Sequence, residues 1–214
     1  VVPASCCWPA PPGLVDDQLL LVEPLAVVAR AVARGEARSG ESAAVLGVGT
    51  LGLLAIQVLR ARGARVLAVG RSGRRLPLAN EMGAEAVHSL EDGSGAMAAR
   101  QFTGAEGVDL VVETAGTSEA VAQAVELARP GGRVVLTGLP HESSHLDFFW
   151  VVRRELRIIG SMIYQDEFRD ALSLLDRGLV RAAPLVTHRF PLDRVQDAFT
   201  AHHSPDSIKV ALVL

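Results

Sequence analysis

Gly47, Gly49 and Gly52, in the run VLGVGTLG, have G-x-G-x-x-G spacing, which suits a backbone that must hold a pyrophosphate. The first glycine permits a tight turn, the second lets the backbone approach the phosphates, and the third allows close helix–strand packing. A helix opening at Thr50 would turn the free N–H groups of Thr50, Leu51 and Gly52 toward that anion. The spacing alone is a weak signal, but here it falls between a strand-like apolar run and a helical one, the context it requires. In an NAD site an Asp or Glu about twenty residues further on ends the second strand and bonds the ribose 2′-hydroxyl. Here that strand, RVLAVG, ends at Gly70 and continues into Arg71, Ser72, Arg74 and Arg75. Glycine leaves room for a 2′-phosphate, and guanidiniums grip one through charge-assisted bonds of roughly 1.5–3 kcal/mol each. NADP(H) is therefore favoured over NAD(H). The competing reading is a solvated basic loop that happens to begin with glycine.

A second puzzle is Glu23, a carboxylate inside the apolar run LLLVEPLAVV. A buried carboxylate costs several kcal/mol unless it is paired, protonated or bound to a metal. The alternative is a helix-start glutamate facing solvent, favoured by the macrodipole, with Pro24 at the first helical position. His141–His145 spell H-E-x-x-H, but that zinc-hydrolase signature works only on a helix. Here it follows LTGLP at the carboxyl end of a strand and reads as a polar loop over the cleft. His202 and His203 read as an exposed helix end, and Asp16, Asp17 and the charges of RRELR as solvated surface. Cys6 and Cys7 lack the spacing of a zinc knuckle or a disulfide framework. They fit reduced thiols in a cytoplasmic protein.

The elements that must position these residues emerge from the periodicity. Apolar runs (AAVLGVG, ARVLAVG, EAVHSL, VDLVVETAG, RVVLTGLP, ELRIIGSMI) alternate with helical ones. Their unbroken apolar character is that of strands covered on both faces. The pattern predicts an α/β fold, a doubly wound six-stranded parallel sheet of the Rossmann type. Gly63, Gly83, Gly131 and Gly178 are expected as left-handed helix ends. We divide the chain into residues 1–22, a dinucleotide-binding block at 23–184, and a return segment at 185–214. With 21 basic and 24 acidic residues in 214, a net charge of −3 gives no reason to expect nucleic acid or an anionic membrane as partner. No run approaches the ~18–20 apolar residues of a membrane span.

Several segments together, VEPLAV, GVGTLGLLAIQVLRARGA, LANEMGAEAV, VDLVVETAG, RPGGRVVLTGLP and RRELRIIGSMIYQDEFRDALSLLDRGLV, resemble the cofactor-binding part of zinc-type medium-chain dehydrogenases. The resemblance is to the sorbitol, L-idonate and butanediol dehydrogenase branch. It implies an oxidoreductase passing hydride between a secondary alcohol and NADP(H). Small alcohols or ketones would be the substrates, and zinc would sit in the full-length enzyme but not in this chain. Residues 1–22 and 185–214 would be remnants of a GroES-like catalytic domain, with the catalytic residues upstream of Val1. The same resemblance puts Glu23 at the metal and Gly70 where NAD-type members carry their aspartate. Arg75 falls on the adenosine side, and Ala115–Gly116 and Gly138–Leu139 fall in turns beside the cofactor. Ile163 stands where many polyol members have arginine. A homodimer or homotetramer would form through an edge strand near Leu156–Ser161, which would otherwise be an exposed pairing edge. Two alternatives stay open: a non-catalytic dinucleotide-binding module or partner subunit, and a zinc-free quinone or enoyl reductase, against which the Glu-Pro pair argues.

Overall fold

Apolar runs become strands where helices can cover both of their faces, and this chain supplies those helices in alternation. The computed structural model describes residues 1–71, 73, 75–140, 143 and 146–214, with residue 5 described by its backbone alone. The chain opens with α1 (Asp16–Leu19), α2 (Val22–Arg34), β1 (Ser42–Leu46), α3 (Thr50–Ala61), β2 (Arg65–Gly70), α4 (Arg75–Glu81) and β3 (Ala86–Ser89). It continues with α5 (Gly95–Thr103), β4 (Val108–Glu113), α6 (Ser118–Leu127), β5 (Ala128–Leu136), α7 (Phe148–Arg153), β6 (Arg157–Gly160) and α8 (Phe168–Asp176). A return segment carries β7 (Val186–Pro191), α9 (Val195–His202) and β8 (Lys209–Val213).

The first six strands form one sheet in the order β3-β2-β1-β4-β5-β6, parallel throughout. This is the doubly wound Rossmann arrangement the sequence predicts. Strand order reverses beside β1, so a crevice opens above the carboxyl ends of β1 and β4. Register aligns those ends. Leu46 pairs with both Val69 and Glu113, Glu113 with Leu136, and Leu136 with Gly160. The next residues along each strand (Gly47, Gly70, Thr114, Thr137 and Ser161) therefore form one rim.

Alternate side chains enter two cores. Ala43, Val45, Leu110 and Val112 pack with Leu25 and Val28 of α2 and Leu53 and Ile56 of α3. On the other face Ala44, Leu46, Val111 and Val134 pack with Ala99 of α5 and Ala124 and Leu127 of α6. Burying each Leu, Ile or Val contributes roughly 1.5–3 kcal/mol. The sheet is thus a stiff platform for its rim.

Three expectations need correction, two of them in the backbone. Gly131 does not end a helix. Helix α6 stops at Leu127 and passes straight into β5, where Val108 faces Ala128 but Leu110 faces Arg133. Residues 129–132 bulge out there, with Gly131 at φ +70° and its N–H on the carbonyl of Arg154 at 2.7 Å. Left-handed glycines do follow α3, α4 and α8 at Gly63, Gly83 and Gly178. Pro24 is the third residue of α2 rather than the first. It still lies in the first turn, where a missing N–H costs nothing.

The strands β7 and β8 pair in parallel and dock on the main sheet's helices. Thr50 Oγ1 donates to the carbonyl of Ile208 at 2.8 Å, and Gln57 exchanges hydrogen bonds with the backbone of Arg181 at 2.7 and 3.3 Å. Asp17 is not solvated surface: it pairs with Arg189, joining α1 to the return segment.

Candidate functional site

The glycine loop leaves β1 with the N–H of Gly47 bonded to the carbonyl of Val69 at 2.9 Å. A β-carbon on Gly52 would come within 1.9 Å of the Gly47 carbonyl oxygen, so helix α3 packs against the loop as only glycine allows. Gly49 differs, because a β-carbon there meets nothing within 4 Å. It is the N-cap of α3, and no side chain caps the first turn. The first intrahelical bond runs from Leu53 N–H to the Gly49 carbonyl at 2.9 Å. The amides of Thr50, Leu51 and Gly52 thus have no intrahelical partners. This is a cradle that fits a pyrophosphate.

On the β2 side, Gly70 is buried, and the space a side chain there would enter is already filled. A β-carbon would lie 2.6 Å from Cγ2 of Val48. The space on that side of Gly70 is thus taken by Val48. Arg71 is exposed and makes no hydrogen bond or ion pair among the described residues. Arg75 is half-buried and turned toward the return segment. One Nη donates to the Ser207 carbonyl at 2.6 Å, and its Nε is buried without a partner. Ser72 and Arg74 lie outside the described residues.

On the β4–β5 side the organising group is one that sequence reasoning passed over. Glu113 ends β4 with no solvent exposure. Its Oε1 accepts the N–H groups of Ala115 and Gly116 at 2.6 and 2.7 Å, while Oε2 is buried without a partner. Burial pushes the carboxyl above its ordinary value, against the pull of the Gly116, Ala115 and Gly138 amides. Thr114 Oγ1 donates to the carbonyls of Gly47 and Leu46 at 3.1 and 3.3 Å, tying this turn to the glycine loop. A β-carbon on Gly138 would strike the backbone of Gly116 at 2.3 Å and Oε2 of Glu113 at 2.8 Å. The Ala115–Gly116 and Gly138–Leu139 turns therefore touch. The signal for Glu113 was the one raised for Glu23, a carboxylate at the end of an apolar run.

Glu23 itself is exposed, in the first turn of α2. The premise of burial fails there, because the apolar neighbours in sequence point to the other faces of the helix. No group of three or more His, Cys, Asp or Glu side chains that could hold a metal occurs among the described residues. His141, Glu142, Ser144 and His145 lie outside those residues. His202 and His203 are exposed at the end of α9, as expected. Arg154 is no solvated charge, since it reaches the carbonyls that end α6 at 3.4–3.5 Å. A cavity of about 710 Å³, lined by Arg100, Glu106, Pro130, Trp150, Arg153 and Arg154, opens at the amino ends of the strands, on the opposite side from the glycine loop.

Residues 50–177, from the first turn of α3 to the end of α8, match the family described as zinc-binding dehydrogenase. The chain belongs to the zinc-binding dehydrogenase family. Among its relatives, L-threonine 3-dehydrogenase of Bacillus licheniformis is 32% identical over 99% of this chain and 62% of its own length. Sorbitol dehydrogenase of Homo sapiens is 31% identical over 98% of this chain and 59% of its own. A Sinorhizobium meliloti protein, described as a zinc-binding dehydrogenase and solved bound to NADP, superposes with a TM-score of 0.90 at 31% identity. That match covers 97% of this chain and 62% of the solved one. The chain thus spans about three-fifths of the length of the relatives it matches. No described helix is long and apolar enough to cross a membrane.

Proposed function

We propose that this chain binds NADP(H) for a zinc-type dehydrogenase acting on a small secondary alcohol or its ketone, with residues 23–184 as the dinucleotide-binding part. The observation that carries the reading is the uncapped first turn of α3 behind the open face of Gly49, paired with a β2 that ends in glycine followed by an exposed arginine, unpartnered among the described residues, instead of an acid. In this reading the Thr50, Leu51 and Gly52 amides hold the pyrophosphate and Arg71 attracts the 2′-phosphate, while Arg75, engaged with the Ser207 carbonyl, adds positive charge nearby. The touching turns at Ala115–Gly116 and Gly138–Leu139 give the other half of the dinucleotide a rigid floor. The cofactor, when bound, supplies the hydride chemistry. The amides of Ala115 and Gly116 are spent on Glu113, so these residues shape the floor and do not donate to the ligand.

The described residues bring no three His, Cys, Asp or Glu side chains together that could hold a metal by themselves. Glu23, exposed on α2, is the residue this chain would offer to a metal held mainly by other groups. The relatives named above act on an amino acid and on a polyol, and a secondary alcohol is the chemistry these substrates share. Residues 1–22 and 185–214, joined by Asp17 and Arg189, would complete a second domain.

Titration of the chain with NADPH and NADH, followed calorimetrically, tests the reading. NADPH is expected to bind at least tenfold more tightly, a difference of about 1.4 kcal/mol. Equal or tighter binding of NADH would sink the cofactor assignment.

A further inference from the structure

The cavity at the amino ends of the strands takes no part in the dinucleotide reading. Its volume of about 710 Å³ falls in the range of roughly 300–1,000 Å³ usual for small-molecule sites. A recess of about 160 Å³ adjoins it, sharing Arg100, Trp150 and Arg154 and reaching Glu126. Three guanidiniums thus line one space in a chain whose net charge is −3. Arg100 and Arg153 are exposed, and their side chains make no hydrogen bond or ion pair among the described residues. Each sits in the last turn of its helix, α5 and α7, where the dipole favours a cation. The dipoles do not explain why both helices end at one cavity, beside a third arginine. Arg154 is held in place, with Nη1 on the carbonyls of Val125, Glu126 and Ala128 at 3.4–3.5 Å. Its guanidinium carbon lies 4.9 Å from the centroid of the Trp150 ring, and 40% of Trp150 stays exposed.

Guanidiniums grip phosphate through paired, charge-assisted bonds, and an exposed indole gives a nucleobase a flat face to stack on. Glu106 in the cavity and Glu126 in the recess would repel a bare anion but accept hydrogen bonds from sugar hydroxyls. We propose that this cavity is a second ligand site, taking a nucleoside monophosphate with its phosphate on Arg100 and Arg153 and its base against Trp150. The site is separate from the glycine loop and independent of the dinucleotide reading.

Trp8 and Trp150 are the chain's two tryptophans, so Trp8→Phe leaves Trp150 as the only indole reporter. Titration of that variant with AMP is expected to quench its emission saturably at submillimolar concentration. Ribose 5-phosphate and inorganic phosphate, titrated calorimetrically, are expected to bind at least tenfold more weakly than AMP. Arg100→Ala and Arg153→Ala, both at exposed positions, should each weaken AMP binding at least tenfold while leaving NADPH affinity and melting temperature unchanged. No saturable quenching, or AMP binding that both arginine variants retain, overturns the inference. Inorganic phosphate that binds as tightly as AMP also overturns it, since the site then takes any anion. Arginine-dependent quenching in a chain that binds no NADPH defeats the dinucleotide reading and leaves this inference standing. NADPH binding without an AMP response defeats this inference alone.

Discussion

At the scale of single residues, the dominant polar group at the rim is Glu113. Its carboxyl is fully buried, with two short amide bonds to Oε1 and the Gly138 amide close by. Glu113→Ala would strand both amides and is expected to cost about 2–4 kcal/mol, measurable by urea denaturation. Glu113→Gln keeps an acceptor for them and isolates the charge. Because burial raises the folded-state value above the unfolded one, the folded chain holds the proton more tightly than the unfolded chain does. That contribution to stability is full below the ordinary glutamate range and is lost as pH rises through the folded value. The stability of Glu113→Gln relative to wild type should therefore rise with pH from about 4.5 upward. A flat difference curve would mean that Glu113 titrates as an ordinary glutamate. Asp109 and Glu167, whose carboxyls are held low, lose their contribution as pH falls, and the difference curve removes them. Sequence reasoning asked the right question about a buried carboxylate but put it to Glu23. Composition along a run cannot tell which residue of a helix faces outward or which strand end is capped by a turn.

At the scale of elements, the junction between β1 and α3 separates two roles that one glycine motif merges. Gly49→Ala meets open space and should change stability by no more than about 0.5 kcal/mol. Its methyl group would stand where the phosphates approach, so dinucleotide affinity should drop at least tenfold. Gly52→Ala drives a β-carbon into the Gly47 carbonyl and should cost about 3 kcal/mol as well as binding. Melting curves and titrations on the two variants check the contrast, and equal losses of stability would refute it. This junction was legible in sequence, since the strand, turn and helix signals all fall within ten residues. The bulge at residues 129–132 was not: a run ending in Pro-Gly-Gly imitates a helix end. Only pairing with β4 shows that the chain is already in a strand.

At the scale of the whole molecule, β6 is one of the sheet's two edge strands, with β3 at the other end. Arg34 Nε already donates to the Gly160 carbonyl at 2.8 Å, so part of that edge is occupied from within. Beside it, α7 exposes Phe148, Phe149 and Val152. If copies join through this edge, Gly160→Glu should dissociate them. A β-carbon there meets nothing within 4 Å, so the variant should fold normally while placing a charge on the pairing edge. Sedimentation velocity is the measurement. A wild type that is monomeric at tens of micromolar, or a variant that stays associated, would rule the edge out as the interface.

The sequence by itself determined the order of strands and helices, the glycine motif between β1 and α3 and the absence of an acid at the end of β2. These are short-range patterns, written in residues close together along the chain. Tertiary structure alone decided which carboxylate is buried, what fills the space beside Gly70, and where Arg75 points. Each of those depends on a partner distant in sequence: Gly138 over Glu113, Val48 against Gly70, and Ser207 on Arg75. Periodicity reports which face of an element is apolar, and only the packed fold reports what lies across from it.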